Sequence, residues 1–149
     1  MIMFDKSMAF LAFIVMILTL TPCVATDLQP HEFTHGFKMD VPFNSSFDEV
    51  PVLIDPDPYG TTIYEDEVNG INVTFFAHCE NKNFVGDEII DLVDNHGFEL
   101  TKEDNLHMLS NGSLKIVVFD KDEKVVVISS SNTGLDTLKE MADSIDFKK

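Results

Sequence analysis

The sequence predicts an α+β fold in which an antiparallel sheet of about five to six strands carries two helices on one face, after an N-terminal apolar signal or anchor helix. Two observations predict the sheet. Apolar segments of strand length recur along the chain, and Asn-Gly dipeptides at Asn69 and Asn111 separate neighbouring segments. A third observation predicts the helices, because apolar residues recur at three- and four-residue spacing in two segments that follow groups of strands.

Near the N-terminus, Lys6 precedes a long apolar run, a pattern typical of a secretory signal. The run from Met8 to Leu20 is nearly unbroken, and small residues surround Ala25. We predict cleavage after Ala25, the arrangement that a signal peptidase cuts. Retention as a membrane anchor is an alternative, because residues 10–25 approach the roughly 17–25 residues that cross a bilayer. Lipidation of Cys23 is a third, although the residue before it, Pro22, is not small.

Three regions follow from this pattern. Residues 1–25 are a signal peptide or membrane anchor, residues 26–32 a polar tether, and residues 33–149 a single α+β domain. A body of this size can bury a core without disulfide bonds. Cleavage would leave Cys79 as the only cysteine, so the stability of the domain must come from packing.

The domain opens with strands. Phe33–Pro42 predicts one strand, and residues 44–58, which contain three prolines, predict an irregular crossover because proline lacks the donor that a central strand needs. Thr61–Cys79 predicts a hairpin. Its Asn-Gly dipeptide predicts a two-residue primed turn, so that Val68 pairs with Ile71.

A helix and a second hairpin come next. Asn83–His96 predicts a helix that ends at Gly97, a residue suited to a left-handed stop. Leu106–Ser110 then turns at the second Asn-Gly dipeptide into Ser113–Phe119.

The last elements are a strand and a helix. Val125–Ser131 predicts a strand, and its continuous apolar run Val125–Ile128 is typical of a strand covered on much of both faces. We predict that the final helix begins at Thr133, whose hydroxyl with Asp136 resembles a capping box. Its buried stripe is Leu135, Leu138, Met141, Ala142 and Ile145.

The composition excludes one class of partner. The chain has 26 acidic and 10 basic residues, for a net charge of −16, and it contains neither arginine nor tryptophan. Arginine supplies the planar fork that grips phosphates and guanine edges, and negative charge repels polyanions. We therefore expect no nucleic-acid partner.

Three asparagines stand in N-x-[Ser/Thr] sequons and are candidate glycosylation sites. They are Asn44, Asn72 and Asn111. Asn44 falls in a loop and Asn111 at a turn, whereas Asn72 points to the polar face of the first hairpin. We expect at least one of them to carry a glycan if the host has the machinery.

The sequence predicts no catalytic, cofactor-binding or metal-ligating residue. Its five histidines form no tight ligand pair with one another or with Cys79. The acidic runs Asp55–Asp57 and Asp120–Glu123 lack the ligand spacing of an EF-hand loop. Catalysis by Cys79 with His96 or His107 stays open, although no nucleophile signature surrounds them.

The order of elements resembles that of the small PsbP/Mog1-like domains. The resemblance rests on Phe37–Pro42 ahead of an irregular stretch and on Leu135–Phe147 as a terminal helix. The composition and leader also resemble those of small exported proteins of methanogenic archaea. The first resemblance implies a binding or accessory role rather than catalysis, and it transfers no functional residue.

These observations predict a non-enzymatic binding module outside the cytoplasm, secreted or held on the outer face of the membrane. Its expected partner is a protein, a glycan or an envelope component, with the membrane contacted through residues 8–25 if they are not cleaved. One alternative is an extracytoplasmic enzyme, a hydrolase with an unrecognised site. Another is a signal-anchored accessory subunit of a membrane complex.

Overall fold

The computed structural model describes residues 27–53, 56–80 and 82–148. The predicted leader, with its cleavage site at Ala25, lies outside them. Within the described residues, no helix has the length and apolar character needed to cross a membrane. The elements are β1 (Leu28–Phe33), β2 (Phe37–Pro42), β3 (Phe47–Val50), β4 (Thr61–Asp66), β5 (Ile71–Phe76), α1 (Lys82–His96), β6 (Glu99–Glu103), β7 (Leu106–Ser110), β8 (Lys115–Lys121), β9 (Lys124–Ser130), α2 (Leu135–Asp143) and β10 (Asp146–Phe147).

The strands form two antiparallel sheets. One has seven strands in the order β3-β4-β5-β9-β8-β7-β6, and the other has three in the order β1-β2-β10. The α+β class is confirmed, whereas the prediction of a single sheet of about five to six strands is wrong. The unpredicted strands β3, β6 and β10 lie at sheet edges. Backbone pairing on one side is enough to hold such strands, so they need little apolar pattern.

The helices lie on opposite faces of the seven-stranded sheet, so the prediction that both pack on one face is wrong. α2 and the three-stranded sheet cover the face to which Val117 and Phe119 of β8 belong. α1 covers the other face, where Ile116 and Val118 join a second apolar cluster. Because β8 is apolar on both faces, a single layer of helices would leave one of those faces in water.

The N-terminal segment is more ordered than predicted. β1 begins at Leu28, so most of the predicted tether, residues 26–32, belongs to a sheet instead. The predicted strand Phe33–Pro42 is the last residue of β1 followed by a turn and β2. Gly36 in that turn has a φ of +109°, which side chains other than glycine disfavour. Leu28 consequently pairs with Pro42.

Both Asn-Gly hairpins form, but neither has the predicted two-residue turn. In the first, Asp66 rather than Val68 pairs with Ile71, which leaves a loop of four residues. The carboxylate closes this loop, because Asp66 Oδ1 accepts a hydrogen bond from the Val68 N–H at 3.0 Å. The side chain of Asn111 closes the second loop in the same way. A register shift of two residues keeps the same side chains on the buried face.

The predicted α1 is confirmed, because the observed helix covers Asn83–His96 and extends by one residue at its start. Its predicted stop is confirmed too. Gly97 has a φ of +71°, and Phe98 is buried with its N–H bonded to the carbonyl of Leu92 at 3.2 Å.

α2 is shorter than predicted at both ends. Gly134 is its N-cap, and Thr133 instead donates its hydroxyl to the carbonyl of Asn69 at 3.2 Å, so the capping box does not form. The helix ends at Asp143 rather than at Phe147, because residues 146–147 pair with β2 as β10. The buried stripe is as predicted at its centre, where Leu138, Met141 and Ala142 have no exposed surface.

Candidate functional site

An apolar groove runs between α1 and the sheet face that α1 covers. It has a volume of about 340 Å³. Residues from α1, the end of β5, β8 and β9 line it, and all of them except Glu88 are apolar. They are Phe76, Val85, Glu88, Ile89, Leu92, Ile116, Val118, Val125 and Val127.

The groove stays open because the apolar stripe of α1 is narrower than the apolar floor beneath it. Val85 and Ile89 are buried, but Leu92, one turn later, is only half-buried. On the sheet surface beneath the helix, Val118 of β8 is buried, whereas Val127 of the neighbouring β9 is half-buried. One side of α1 therefore leaves apolar sheet surface accessible to a ligand.

The border of the groove is acidic. Lys82, at the first position of α1, is the only lysine in the helix. His96 at its other end lies 3.4 Å from a carboxylate oxygen of Asp91. With the net charge of −16 for the chain, the mouth of the groove lies in a negative potential. Four exposed carboxylates of α1 contribute to it, those of Asp87, Glu88, Asp91 and Asp94.

A second cavity, of about 510 Å³, lies where β8 turns into β9 and contains Cys79. Burial, with a smaller contribution from Asp120, raises the pKa of the Cys79 thiol. Nucleophilic cysteines require the opposite shift. His96 is exposed beside Asp91, and the buried Nδ1 of His107 has no hydrogen-bond partner. The pKa of the Cys79 thiol is therefore not lowered as activation requires, and among the described residues neither His96 nor His107 is hydrogen-bonded to the thiol as a base.

His31, His35 and Asp57 each contact neighbouring side chains of the fold. The ring of His31 packs on Phe33, with centroids 4.6 Å apart, and His35 lies 3.4 Å from Glu49. Asp57, from the first acidic run, accepts hydrogen bonds from Thr61, which lower the pKa of that carboxyl. In the described ranges, no three His, Cys, Asp or Glu side chains are grouped as metal ligands would be.

The three sequon asparagines are exposed. The side-chain oxygen of Asn44 accepts a hydrogen bond from Asn69 at 3.2 Å, and that of Asn111 accepts one from the Leu114 N–H at 2.8 Å. Asn72 lies on the sheet face that α1 covers only in part. Exposure satisfies one requirement for modification, and glycosylation itself stays a prediction.

One sequon, that of Asn44, lies at the same end of the molecule as the start of the described chain. Asp27 accepts a hydrogen bond from the Phe43 N–H at 2.9 Å, next to Asn44. Asn44 in turn touches the β4–β5 loop through Asn69. We call this the entry end: Asp27 with the loops 43–46 and 67–70. The C-terminal β10 pairs with β2 at the far end, beside the β1–β2 turn.

Sequence reasoning did not find the groove. The sequence predicted buried surfaces for the strands β8 and β9 and for α1. Neither segment by itself shows that the apolar surface of the strands is wider than that of the helix. One signal was present, since Ile116–Phe119 and Val125–Ile128 are apolar at every position while α1 has a single apolar stripe. That mismatch indicates more apolar sheet surface than one such helix covers.

The fold is similar to the solution structure of cyanobacterial PsbP (CyanoP) from Synechocystis sp. PCC 6803. The two chains are 14% identical over 83% of this chain and 94% of that one, with a TM-score of 0.43. A likeness at this level carries no argument about family or function, and the resemblance to the PsbP/Mog1-like domains stays a prediction. No protein-family model and no curated protein matches the chain, so no sequence match supports the resemblance to exported proteins of methanogenic archaea.

Proposed function

We propose that this chain is a non-enzymatic binding module that works outside the cytoplasm, and that its α1 groove takes a basic, amphipathic segment of a partner protein. The observation that carries the proposal is the open apolar groove with an acidic border. The extracytoplasmic location is supported by the apolar leader, residues 8–20, with its small residues before Ala25.

The lining of the groove favours apolar side chains over sugars. A glycan presents many hydroxyl groups, and each one that loses water without a new partner costs binding free energy. Glu88 is the one polar residue in the lining, so most hydroxyls would stay unpaired. Leucine- or isoleucine-sized anchors would instead bury their surface against Leu92 and Val127.

The border selects the sign of the charge on the partner. Lysine or arginine beside the anchors would lie near Glu88, the carboxylate in the groove lining, which strengthens binding and speeds association. An acidic segment with the same anchors would be repelled by a surface of net charge −16. Charge therefore decides between partners of equal apolarity.

The enzyme alternative has less support. Its candidate nucleophile, Cys79, is 5% exposed and has a raised pKa, so at neutral pH the thiol stays protonated. The alternative of a membrane-anchored accessory subunit is compatible with the groove, since an anchored module would bind its partner by the same surface.

A peptide titration tests the proposal. Two synthetic peptides of about 14 residues, four helical turns, share one leucine spacing and differ only in carrying lysine or glutamate at the polar positions. Methyl NMR spectra of the protein report where each one binds. We expect the lysine peptide to shift the methyl signals of Ile89, Leu92 and Val127, and the glutamate peptide to leave them in place.

Charge reversal on one helix supplies the matched control. Glu88→Lys, in the groove, should weaken binding of the lysine peptide by about tenfold, or ~1.4 kcal/mol. Asp94→Lys, on another side of α1, should weaken it much less. Equal effects of the two substitutions would contradict the groove, as would methyl shifts with the glutamate peptide. A response to oligosaccharides alone would assign the groove to a glycan and overturn the proposal.

A further inference from the structure

Two large apolar side chains are exposed at the entry end. Phe43, which follows β2, is 71% exposed, and Val68, in the β4–β5 loop, is 60% exposed. Exposing an apolar side chain to water is unfavourable, and the free-energy cost grows in proportion to the exposed area. A pair of them on adjacent loops is therefore a candidate contact surface.

The backbone holds Phe43 firmly in this exposed position. Its N–H donates to the carbonyl of Asp27 at 2.9 Å, and its own carbonyl accepts a hydrogen bond from the Gln29 side chain at 3.0 Å. These bonds fix the backbone of Phe43 beside the start of β1, and its ring lies on the exposed side.

The loop of Val68 is tied to the loop of Phe43. The buried carboxylate of Asp66 accepts hydrogen bonds from the N–H groups of Val68 at 3.0 Å and Ser46 at 3.3 Å. Asn69 adds bonds to Asn44 and Ser45. The two apolar side chains therefore belong to one rigid tip, which we call the apolar tip: Phe43 and Val68.

The apolar leader joins the body at this tip. Six residues lie between Leu20, the last of the apolar run, and Asp27, which contacts Phe43, so seven residue steps join the two. Fully extended, that segment spans at most roughly 25 Å. If the leader lies in a bilayer, its length keeps the apolar tip close to the surface of the same bilayer.

We propose that the apolar tip contacts lipid and seats the entry end on the bilayer that holds the leader. The proposal rests on the extracytoplasmic part of the proposed function and on the alternative in which the leader is retained as an anchor rather than cleaved after Ala25, and it is independent of the groove. Aromatic and aliphatic side chains are stabilised at the membrane interface. The exposed Glu67 beside Val68 and the net charge of −16 repel anionic headgroups, so the lipid it fits has a neutral headgroup.

Tryptophan fluorescence tests the proposal, because the chain contains no tryptophan of its own. Full-length Phe43→Trp is reconstituted into phosphatidylcholine vesicles that contain a spin-labelled lipid. Leu53→Trp is the matched control, since Leu53 is also apolar, is 96% exposed, and lies beyond β3 as that strand runs away from the entry end.

We expect spin-labelled lipid to quench the Phe43→Trp chain at least about threefold more strongly than the Leu53→Trp chain. Val68→Trp should behave as Phe43→Trp does, and aqueous iodide should show the reverse order. Equal lipid quenching of the Phe43→Trp and Leu53→Trp chains would overturn the proposal. A full-length chain that does not associate with vesicles would also overturn it, because the leader would then not be an anchor.

A second readout uses the neighbouring sequon. A glycan on Asn44, next to Phe43, would hold the apolar tip away from lipid. Mass spectrometry of membrane-bound chain should find Asn44 unmodified, and a glycan there would contradict the proposal. Both readouts are separate from the peptide titration, so the groove and the apolar tip can fail independently.

Discussion

Asp66 joins two loops, 43–46 and 67–70, through one buried carboxylate. It is 1% exposed and accepts hydrogen bonds from Ser46, Val68 and Asn69. Burial alone would raise the pKa of Asp66, but the bonds from Asn69, Ser46 and Ser45 outweigh it and hold the pKa below its usual value. The folded chain therefore favours the charged form, and the charge holds the entry end together.

Replacing this carboxylate tests its role. Asp66→Asn keeps the shape but places an amide donor against the amide of Asn69, so we expect the free energy of unfolding to fall by about 2 kcal/mol. Urea unfolding at pH 7 measures this change. Glu65→Gln, on the exposed face one residue away, is the control and should change the free energy of unfolding by less than about 0.5 kcal/mol.

The cost of Asp66→Asn should also depend on pH. Because the pKa is lower in the folded chain than in the unfolded chain, the stabilisation is fully present above the unfolded pKa, about 3.9. It is lost as the pH falls through the folded pKa. The difference in the free energy of unfolding between wild type and Asp66→Asn should therefore become smaller below about pH 4. A difference of constant size would contradict this account.

His107 should produce a different pH dependence. Burial and Lys102 lower the pKa of its imidazole, and Asp120 opposes them only in part. Below about pH 6.5 the unfolded chain takes up a proton that the folded chain resists, so stability falls as the pH falls. We expect His107→Leu to lose less stability between pH 7.5 and pH 5.5 than wild type, in urea unfolding at both pH values.

The control for His107 is an exposed histidine. His96→Gln should keep the full loss of stability on acidification, since His107 is intact in it. If His107→Leu and wild type lose the same stability over that pH range, the assignment to His107 is wrong.

At the scale of elements, the β8–β9 turn carries strain that one substitution should relieve. Asp122 and Glu123 have φ values of +55° and +65°, the conformation of a two-residue primed turn. A residue other than glycine, asparagine or aspartate pays roughly 1–2 kcal/mol there. Glu123→Gly keeps the carbonyl that accepts the Cys79 N–H, so we expect the free energy of unfolding to rise by about 1 kcal/mol in urea titration.

Glu67→Gly is the matched control for the turn. Glu67 is an exposed glutamate in the β4–β5 loop and is not among the residues with positive φ. Glycine there adds freedom to the unfolded chain without relieving strain, so stability should fall. A loss of stability in Glu123→Gly equal to that in Glu67→Gly would show that the turn is unstrained.

Local patterns predicted α1 and both hairpins, because each depends on neighbours in sequence. They could not predict β6, whose residues Glu99–Glu103 are all exposed and whose place depends on backbone bonds to β7. Nor does helical periodicity show on which face of a sheet a helix packs. That choice is made by the two-sided apolar surface of β8 and β9, which needs a layer on each side.

At the scale of the molecule, the candidate site was less predictable than the fold. Exposure of Asn44, Asn72 and Asn111 follows from their positions in turns and on a polar face, which local sequence shows. The groove depends on how far α1 falls short of covering the strands beneath it, and the apolar tip depends on two loops that meet only in the folded chain. Tertiary geometry creates both surfaces.

The two proposed contact surfaces lie on different parts of the molecule. The entry end joins the leader and holds the apolar tip, whereas the groove opens along one face of the seven-stranded sheet. A body seated on a bilayer by the entry end would therefore leave the groove accessible to a partner from the side. Both proposals require that the folded domain lie outside the cytoplasm.

Surface labelling of intact cells of the native host tests that location most directly. A membrane-impermeant amine reagent is applied before and after lysis, and mass spectrometry maps the labelled lysines. The account predicts that the exposed Lys102 and Lys121 are labelled in intact cells, at the level seen after lysis. Labelling that appears only after lysis would place the body in the cytoplasm and contradict the account.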